Sequence, residues 1–291
     1  MRRIALALVI AGALAVPATA GASQLIDRNA SQVVLEVNAH GQALLTYRAG
    51  GKLRHVLAWG AVNAIAPTQA RSQVAFRLDY SGGWGTYRRD VWKTFRNVCR
   101  PYTGPALAWL VTACTAPDGS HWAVQSWQRM LGNYGGSSAK WELHLSHWSG
   151  PLPALTVVVN WAYRSYDHLF GSFTYLGAPV YGFRSTPAGQ PLDSFGRNLY
   201  LDTLDSAYGP GWRRENSFLT HVGTGAFCYG FYAHGSHPIG KGTEYRATVI
   251  GPGVTPLVSW IGEAPGPFDA DLQAAANAQL LALGDRQCHA V

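Results

Sequence analysis

The chain is predicted to be all-β, an antiparallel β-sandwich or jelly-roll-like fold with a C-terminal α-helix packed on a sheet. Three observations carry that expectation. Short runs in which apolar and polar residues alternate with period two recur along most of the 291 residues. Gly, Pro, Asn and Asp clusters separate the runs at hairpin spacing. Helical periodicity is confined to two segments.

Taken in chain order, Val33 to Val37, Ala43 to Tyr47 and Leu53 to Trp59 read as an antiparallel meander, broken by Asn38-Ala39-His40-Gly41 and Ala49-Gly50-Gly51. Val74, Phe76, Leu78 and Tyr80 alternate with Ala75, Arg77 and Asp79, so the first set is expected on the buried face of a strand ending at Ser81-Gly82-Gly83. Tyr87, Val91, Phe95 and Val98 then share one helical face while Arg89, Lys93, Arg96 and Arg100 share the other, which suggests one short basic amphipathic helix. Leu107 to Cys114 and His121 to Gln128 flank Ala116-Pro117-Asp118-Gly119-Ser120, the most specific hairpin signal in the chain.

Trp141 to His147 and Leu155 to Tyr163 follow as strands joined by Trp148-Ser149-Gly150-Pro151. Phe173 to Leu176 and Val180 to Phe183 form a further expected hairpin, with Pro179 at an edge because it cannot donate to a ladder. Later strands are expected at Asn198 to Leu204, Ala226 to Tyr232, Glu244 to Ile250 and Leu257 to Ile261. Residues 269–283 carry good helix formers, acids in the first turn, an apolar stripe and Gly284 as a stop, and are expected to be the C-terminal helix.

Met1-Arg2-Arg3, an apolar run from Ile4 to Val16 and the sites Ala18-Thr19-Ala20 and Ala20-Gly21-Ala22 have the form of a signal peptide over 1–20, with cleavage possible to 22. Residues 21–291 are then expected to be a single β-rich domain, secreted or extracytoplasmic. With 47% hydrophobic and 13% charged residues there is ample material for a core, and no second run is long enough to span a membrane. The formal charge of +7 falls to about +5 once Arg2 and Arg3 leave. Lysines are few against abundant arginine, as a GC-rich coding bias would produce, so the basic balance does not argue for nucleic acid.

In an exported chain, Cys99, Cys114, Cys228 and Cys288 read first as two disulfides of undetermined pairing. Linking Cys228 to Cys288 would staple the C-terminal helix to the sheet. The competing role for Cys228 is a thiol nucleophile served by His234 or His221. His234-Gly235-Ser236-His237 lacks the further ligands of a zinc site, so solvated loop histidines explain it and no metal or cofactor is expected.

Polar residues concentrate between Asp193 and Glu215. Asp193, Asp202, Asp205 and Glu215 are the carboxylates a glycan-cleaving hydrolase could use, given a pair about 5 to 9.5 Å apart. On a strand Asp202 and Asp205 point to opposite faces, which argues against that pair, and ion-pair or calcium-binding roles explain the cluster as well. No nucleophile elbow, zinc-protease or phosphate-loop motif is present in the sequence.

The 11 tryptophans and 14 tyrosines carry the other candidate chemistry. Trp84, Trp92, Trp122, Trp127, Trp148 and Trp212 lie in or beside turn-rich polar segments where amphipathic rings can form platforms, whereas Trp109 and Trp161 sit on apolar faces. Trp122, Trp148, Tyr208, Trp212, Arg213 and Arg214 are the expected ligand-binding set, and Arg89, Lys93, Arg96 and Arg100 an anionic-surface stripe. The resulting expectation is a secreted, disulfide-stabilised binding module of the cell exterior whose partner is a glycan or other anionic envelope polymer. A secreted glycoside hydrolase and a non-binding structural module are the alternatives.

Overall fold

The computed structural model of the chain describes residues 23–63, 76–130, 139–163, 166–175, 178–179, 184–185, 191–192, 199–206, 209–214, 217–221, 226–231, 243–249 and 255–263, with scattered residues between 270 and 282. These are mostly strand. The first half contains β1 (Gln24–Arg28), β2 (Ser31–Val37), β3 (Ala43–Ala49), β4 (Lys52–Gly60), β5 (Phe76–Asp79), β6 (Arg100–Pro101), β7 (Leu110–Thr115), β8 (His121–Met130) and β9 (Ala139–Trp148). The second half adds β10 (Ala154–Tyr163), β11 (Tyr166–Tyr175), β12 (Ala178–Pro179), β13 (Arg184–Ser185), β14 (Pro191–Leu192), β15 (Leu199–Ser206), β16 (Gly209–Arg214), β17 (Ser217–His221), β18 (Ala226–Phe231), β19 (Glu244–Val249) and β20 (Val258–Glu263).

Three antiparallel sheets organise most of these strands, and β13 and β14 pair with each other as a separate two-stranded ladder. The meander runs β2-β3-β4-β5. A larger sheet runs β1-β9-β8-β16-β15-β19-β20, with β7 also on β8 and a single parallel contact where Arg213 of β16 meets Met130 of β8. The third runs β10-β11-β18-β17. The turn after β9 therefore changes sheets, and Asn63 fixes it: Ser149 N–H donates to Asn63 Oδ1 at 3.1 Å while the Asn63 amide donates to the Ser149 carbonyl at 3.1 Å.

The core lies where the meander faces β1, β7, β8 and β9. Leu35, Val37, Ala43, Leu45, Tyr47, Val56 and Ala58 of the meander form one apolar cluster with Ile26, Cys114, Trp122, Val124, Leu143 and Leu145. Register explains the sorting. Ala43 pairs with Ala58 and Leu45 with Val56 on the inner face, while Thr46 opposite His55 and Leu44 opposite Leu57 lie on the outer one. Trp122 pairs with His147 across β8 and β9, and the two rings stack at 3.8 Å.

The expected meander and the β7-β8 hairpin are observed, the latter closed by Ala116 N–H to the Ser120 carbonyl at 2.8 Å. Pro179 lies in β12, which pairs only β11 among the described residues. β1, β16 and β17 were not anticipated, being too short or too rich in Gly, Arg and His to show alternation. The C-terminal helix over 269–283 is an expectation that the scattered described residues there do not show. The signal segment, and the Cys228–Cys288 pairing, also lie outside what is described. Cys99 and Cys114 form a disulfide.

Two expectations need correction. No basic amphipathic helix spans 87–100. A single helical turn, α1 (Trp84–Tyr87), ends where Arg88 takes a left-handed φ of 55°, a 3₁₀ turn covers Val91–Lys93, and the chain then extends into β6. Val, Thr and aromatic residues give the segment little helix propensity, so contacts to the meander decide its path. At the end of β5 the alternation reverses: Asp79 is buried and Tyr80 is 56% exposed.

His147 yields a pH prediction. Burial pulls its imidazole down to about 4 from 6.5, against the opposing pull of Asp118. Between those values the unfolded chain holds the extra proton, so stability falls as pH is lowered from about 6.5 to 4, by on the order of 3 kcal/mol when complete. His55 and His121 are lowered in the same sense by burial, so the comparison must be with His147→Asn. Urea melts across that range should show a shallower pH slope for the variant; equal slopes would exclude His147 as the source.

Candidate functional site

The outer face of the meander is covered by the segment from Tyr80 to Val98, and that segment carries the candidate site. Its first anchor is Asp79. The carboxylate accepts hydrogen bonds from the Ser81 hydroxyl, from Ser81 N–H at 2.9 Å and from Thr86 N–H at 2.8 Å. Burial would raise its pKa, but the Ser81 and Thr86 hydrogen bonds outweigh that and hold it at about 2. Ser81 in turn receives Gly85 N–H at 2.6 Å, which closes the turn around α1.

Gly82 and Gly83 allow the chain to lie directly on its own return. Both have positive φ, 65° and 110°. A Cβ on Gly83 would stand 2.3 Å from Val91 Cγ2, and one on Gly82 would stand 2.8 Å from Trp92 Cδ1. Beyond them, Trp92 stacks on His55 of β4 with centroids 4.3 Å apart and planes within 2°. The Asn97 side chain accepts from Val37 N–H at 3.1 Å and Cys99 N–H at 3.0 Å, and Val98 N–H donates to the Val37 carbonyl at 2.8 Å. The Cys99–Cys114 disulfide then ties the segment to β7 in the facing sheet.

What this scaffold presents is aromatic and basic. Tyr80, Trp84, Tyr87 and Trp92 are 56%, 55%, 42% and 36% exposed. Tyr87 lines, together with His40, Gln42, Arg89 and Val91, an open groove of about 310 Å³. Gln42 Nε2 donates to the Tyr87 hydroxyl at 2.8 Å, fixing that ring as one wall. Trp59 of β4 packs behind Tyr87 with centroids 6.2 Å apart.

The sequence-predicted sites divide three ways. Arg89 lines the groove, and Lys93, Arg96 and Arg100 are exposed on the same segment, with Lys93 bridged to Asp90 at 2.7 Å. Trp122 and Trp148 are not ligand platforms: both are fully buried, Trp122 against His147 and Trp148 against His121 and Tyr102. Trp212 is half-buried, its ring 4.4 Å from the guanidinium of Arg246, and Arg213 is likewise half-buried. Tyr208, Asp193, Glu215, His234 and His237 and the side chain of Arg214 lie outside the described residues.

The two carboxylates that can be placed do separate work. Asp202 is fully buried and pairs across the ladder with Arg246, whose Nη2 and Nε lie 2.6 and 3.2 Å from Asp202 Oδ2. Arg246 is enclosed by Trp109 and Trp212 and also donates to the Gln128 carbonyl. Asp205, at φ 52°, accepts Gly211 N–H at 2.7 Å across the tight turn between β15 and β16. A salt-bridged buried acid and a turn-capping acid do not form an acid and base facing a groove.

Sequence reasoning singled out Trp84, Trp92 and Arg89 but missed His40, Gln42 and Tyr87. Tyr87 was placed on the apolar face of a helix that does not form. Gln42 lies in the first meander turn, where its signal is that of any polar loop residue. Among the described residues no group of three or more His, Cys, Asp or Glu is placed to hold a metal ion, and no helix is long and apolar enough to cross a membrane. No family model, curated protein or solved structure matches the chain.

The geometry of this loop makes a stability prediction. Gly83→Ala meets the Val91 side chain in a left-handed conformation, and Asp79→Ala strands three donors, so each is expected to cost about 1–3 kcal/mol. Differential scanning calorimetry should show both melting several degrees below the parent. A parent-like Tm for both would mean that the segment is not seated on the meander as described.

Proposed function

We propose that the protein is a secreted β-sandwich module that binds a glycan at the cell exterior through the groove lined by His40, Gln42, Tyr87, Arg89 and Val91. The observation that carries this is a polar-walled groove with the exposed Tyr87 ring as one wall, on a segment anchored at both ends that also exposes Trp84 and Trp92. Exposed aromatic surface of that kind stacks well on the apolar faces of sugar rings, while Gln42, His40 and Arg89 supply hydrogen bonds to hydroxyls. Anchoring lowers the ordering cost of binding, because the rings are already held by Asp79, Asn97 and the Trp92–His55 stack.

Export is part of the proposal and rests on the N-terminal segment and the disulfide, which suits an oxidising compartment. A hydrolase is supported less well, since Asp202 and Asp205 already serve ion pairing and turn capping. A purely structural module leaves the exposed rings without a role.

Secreted protein screened against a panel of polysaccharides, scored for retention and for released reducing ends together, tests all three. Retention without release is expected, and Tyr87→Ala should weaken it about tenfold, in line with the stacking energy of one aromatic ring. Release of reducing ends would favour the hydrolase. No retention on any polymer, or retention indifferent to Tyr87→Ala, would exclude this groove as the site.

A further inference from the structure

The groove's charge points to the kind of glycan. We infer that it selects an acidic polysaccharide, one whose sugars carry carboxylate or sulfate groups, and that Arg89 reads the acid while the Tyr87 ring carries the sugar. The inference rests on the saccharide-binding proposal and narrows it.

Arg89 lines the groove and is exposed, and none of the five lining residues is acidic. Between residues 88 and 100 the chain places Arg88, Arg89, Lys93, Arg96 and Arg100 against a single acid, Asp90. That acid is already engaged by Lys93 at 2.7 Å, so it does not neutralise the arginines. Among the described residues no carboxylate forms an ion pair with Arg88, Arg89 or Arg96. Asp79, at the end of β5 where this segment begins, is buried and committed to Ser81 and Thr86.

A surface guanidinium without a protein partner offers its donors outward, and its planar fork matches a carboxylate or sulfate in a way a neutral hydroxyl does not. Other cations along the same segment would meet successive acids of a polymer, so weak single contacts add along the strand. A volume of about 310 Å³ is at the small end for ligand sites, which suits one sugar ring with the polymer continuing along the surface.

Matched polymers test this: polygalacturonate against its methyl ester, and dextran sulfate against dextran, measured by calorimetry with the secreted protein. At about 50 mM salt the acidic member of at least one pair should bind ten or more times tighter than its neutral partner, with the preference shrinking strongly by about 0.5 M as screening shortens the range. Which pair discriminates identifies the acid as carboxylate or sulfate. Arg89→Gln should lose most of the acid preference while keeping the parent Tm, its affinity for the acidic polymer falling far more than its affinity for the neutral one. If neutral polymers bind as tightly as acidic ones, or Arg89→Gln keeps the preference, the inference fails while saccharide binding stands. If no polymer binds, or Tyr87→Ala leaves all binding unchanged, the underlying proposal fails as well.

Discussion

A single buried carboxylate sets the shape of everything the outer face presents. Asp79 closes β5, and in a strand its side chain belongs to the same face as Leu57, opposite which it pairs. With nothing to accept from, that carboxylate would be an unpaired charge under the covering segment, which is costly. The backbone instead turns back over it, so that Ser81 and Thr86 donate directly to it. Stability from this arrangement is present above the ordinary Asp pKa and is lost only as the pH falls towards about 2, because the folded pKa is the lower one.

The far end of the segment is held by different means. Asn97 substitutes a side-chain acceptor for the missing neighbour of β2, and Val98 supplies a donor to the Val37 carbonyl, so the edge of the meander is covered rather than left open. The disulfide adds a covalent tie whose 15-residue separation restricts the unfolded chain. Between the two anchors, Trp92 on His55 and Tyr87 on Trp59 fill the space over the sheet. Order in this segment is therefore tertiary, and none of it comes from helix propensity.

That distinction explains what the sequence made legible. The meander and the β7-β8 hairpin were readable because their apolar alternation and turn residues act locally. Trp122 was misread for the opposite reason. It sits beside polar His121 and a turn, yet the register that pairs it with His147 turns it into the core. The basic stripe of Arg89, Lys93, Arg96 and Arg100 was correct as a set of exposed cations and wrong as a helix, since solvation explains those side chains in either backbone. Asp79 looked like the wet side of a strand; only the returning chain, at most about 25 Å of contour that periodicity does not see, covers it and makes it a buried acceptor.

The tryptophans show the same sequence chemistry resolved in two ways. Trp122, Trp127 and Trp148 are buried, and among the described residues their indole N–H groups find no acceptor, so the large apolar rings outweigh a polar cost of a few kcal/mol at most. Trp84 and Tyr87 are resolved the other way. Gly82 and Gly83 let Val91 and Trp92 lie directly on the turn, and these two rings stay exposed on the covering segment. Their apolar surface is left to water, at roughly 25 cal/mol for each square ångström, and a ligand that covers them recovers what the fold does not.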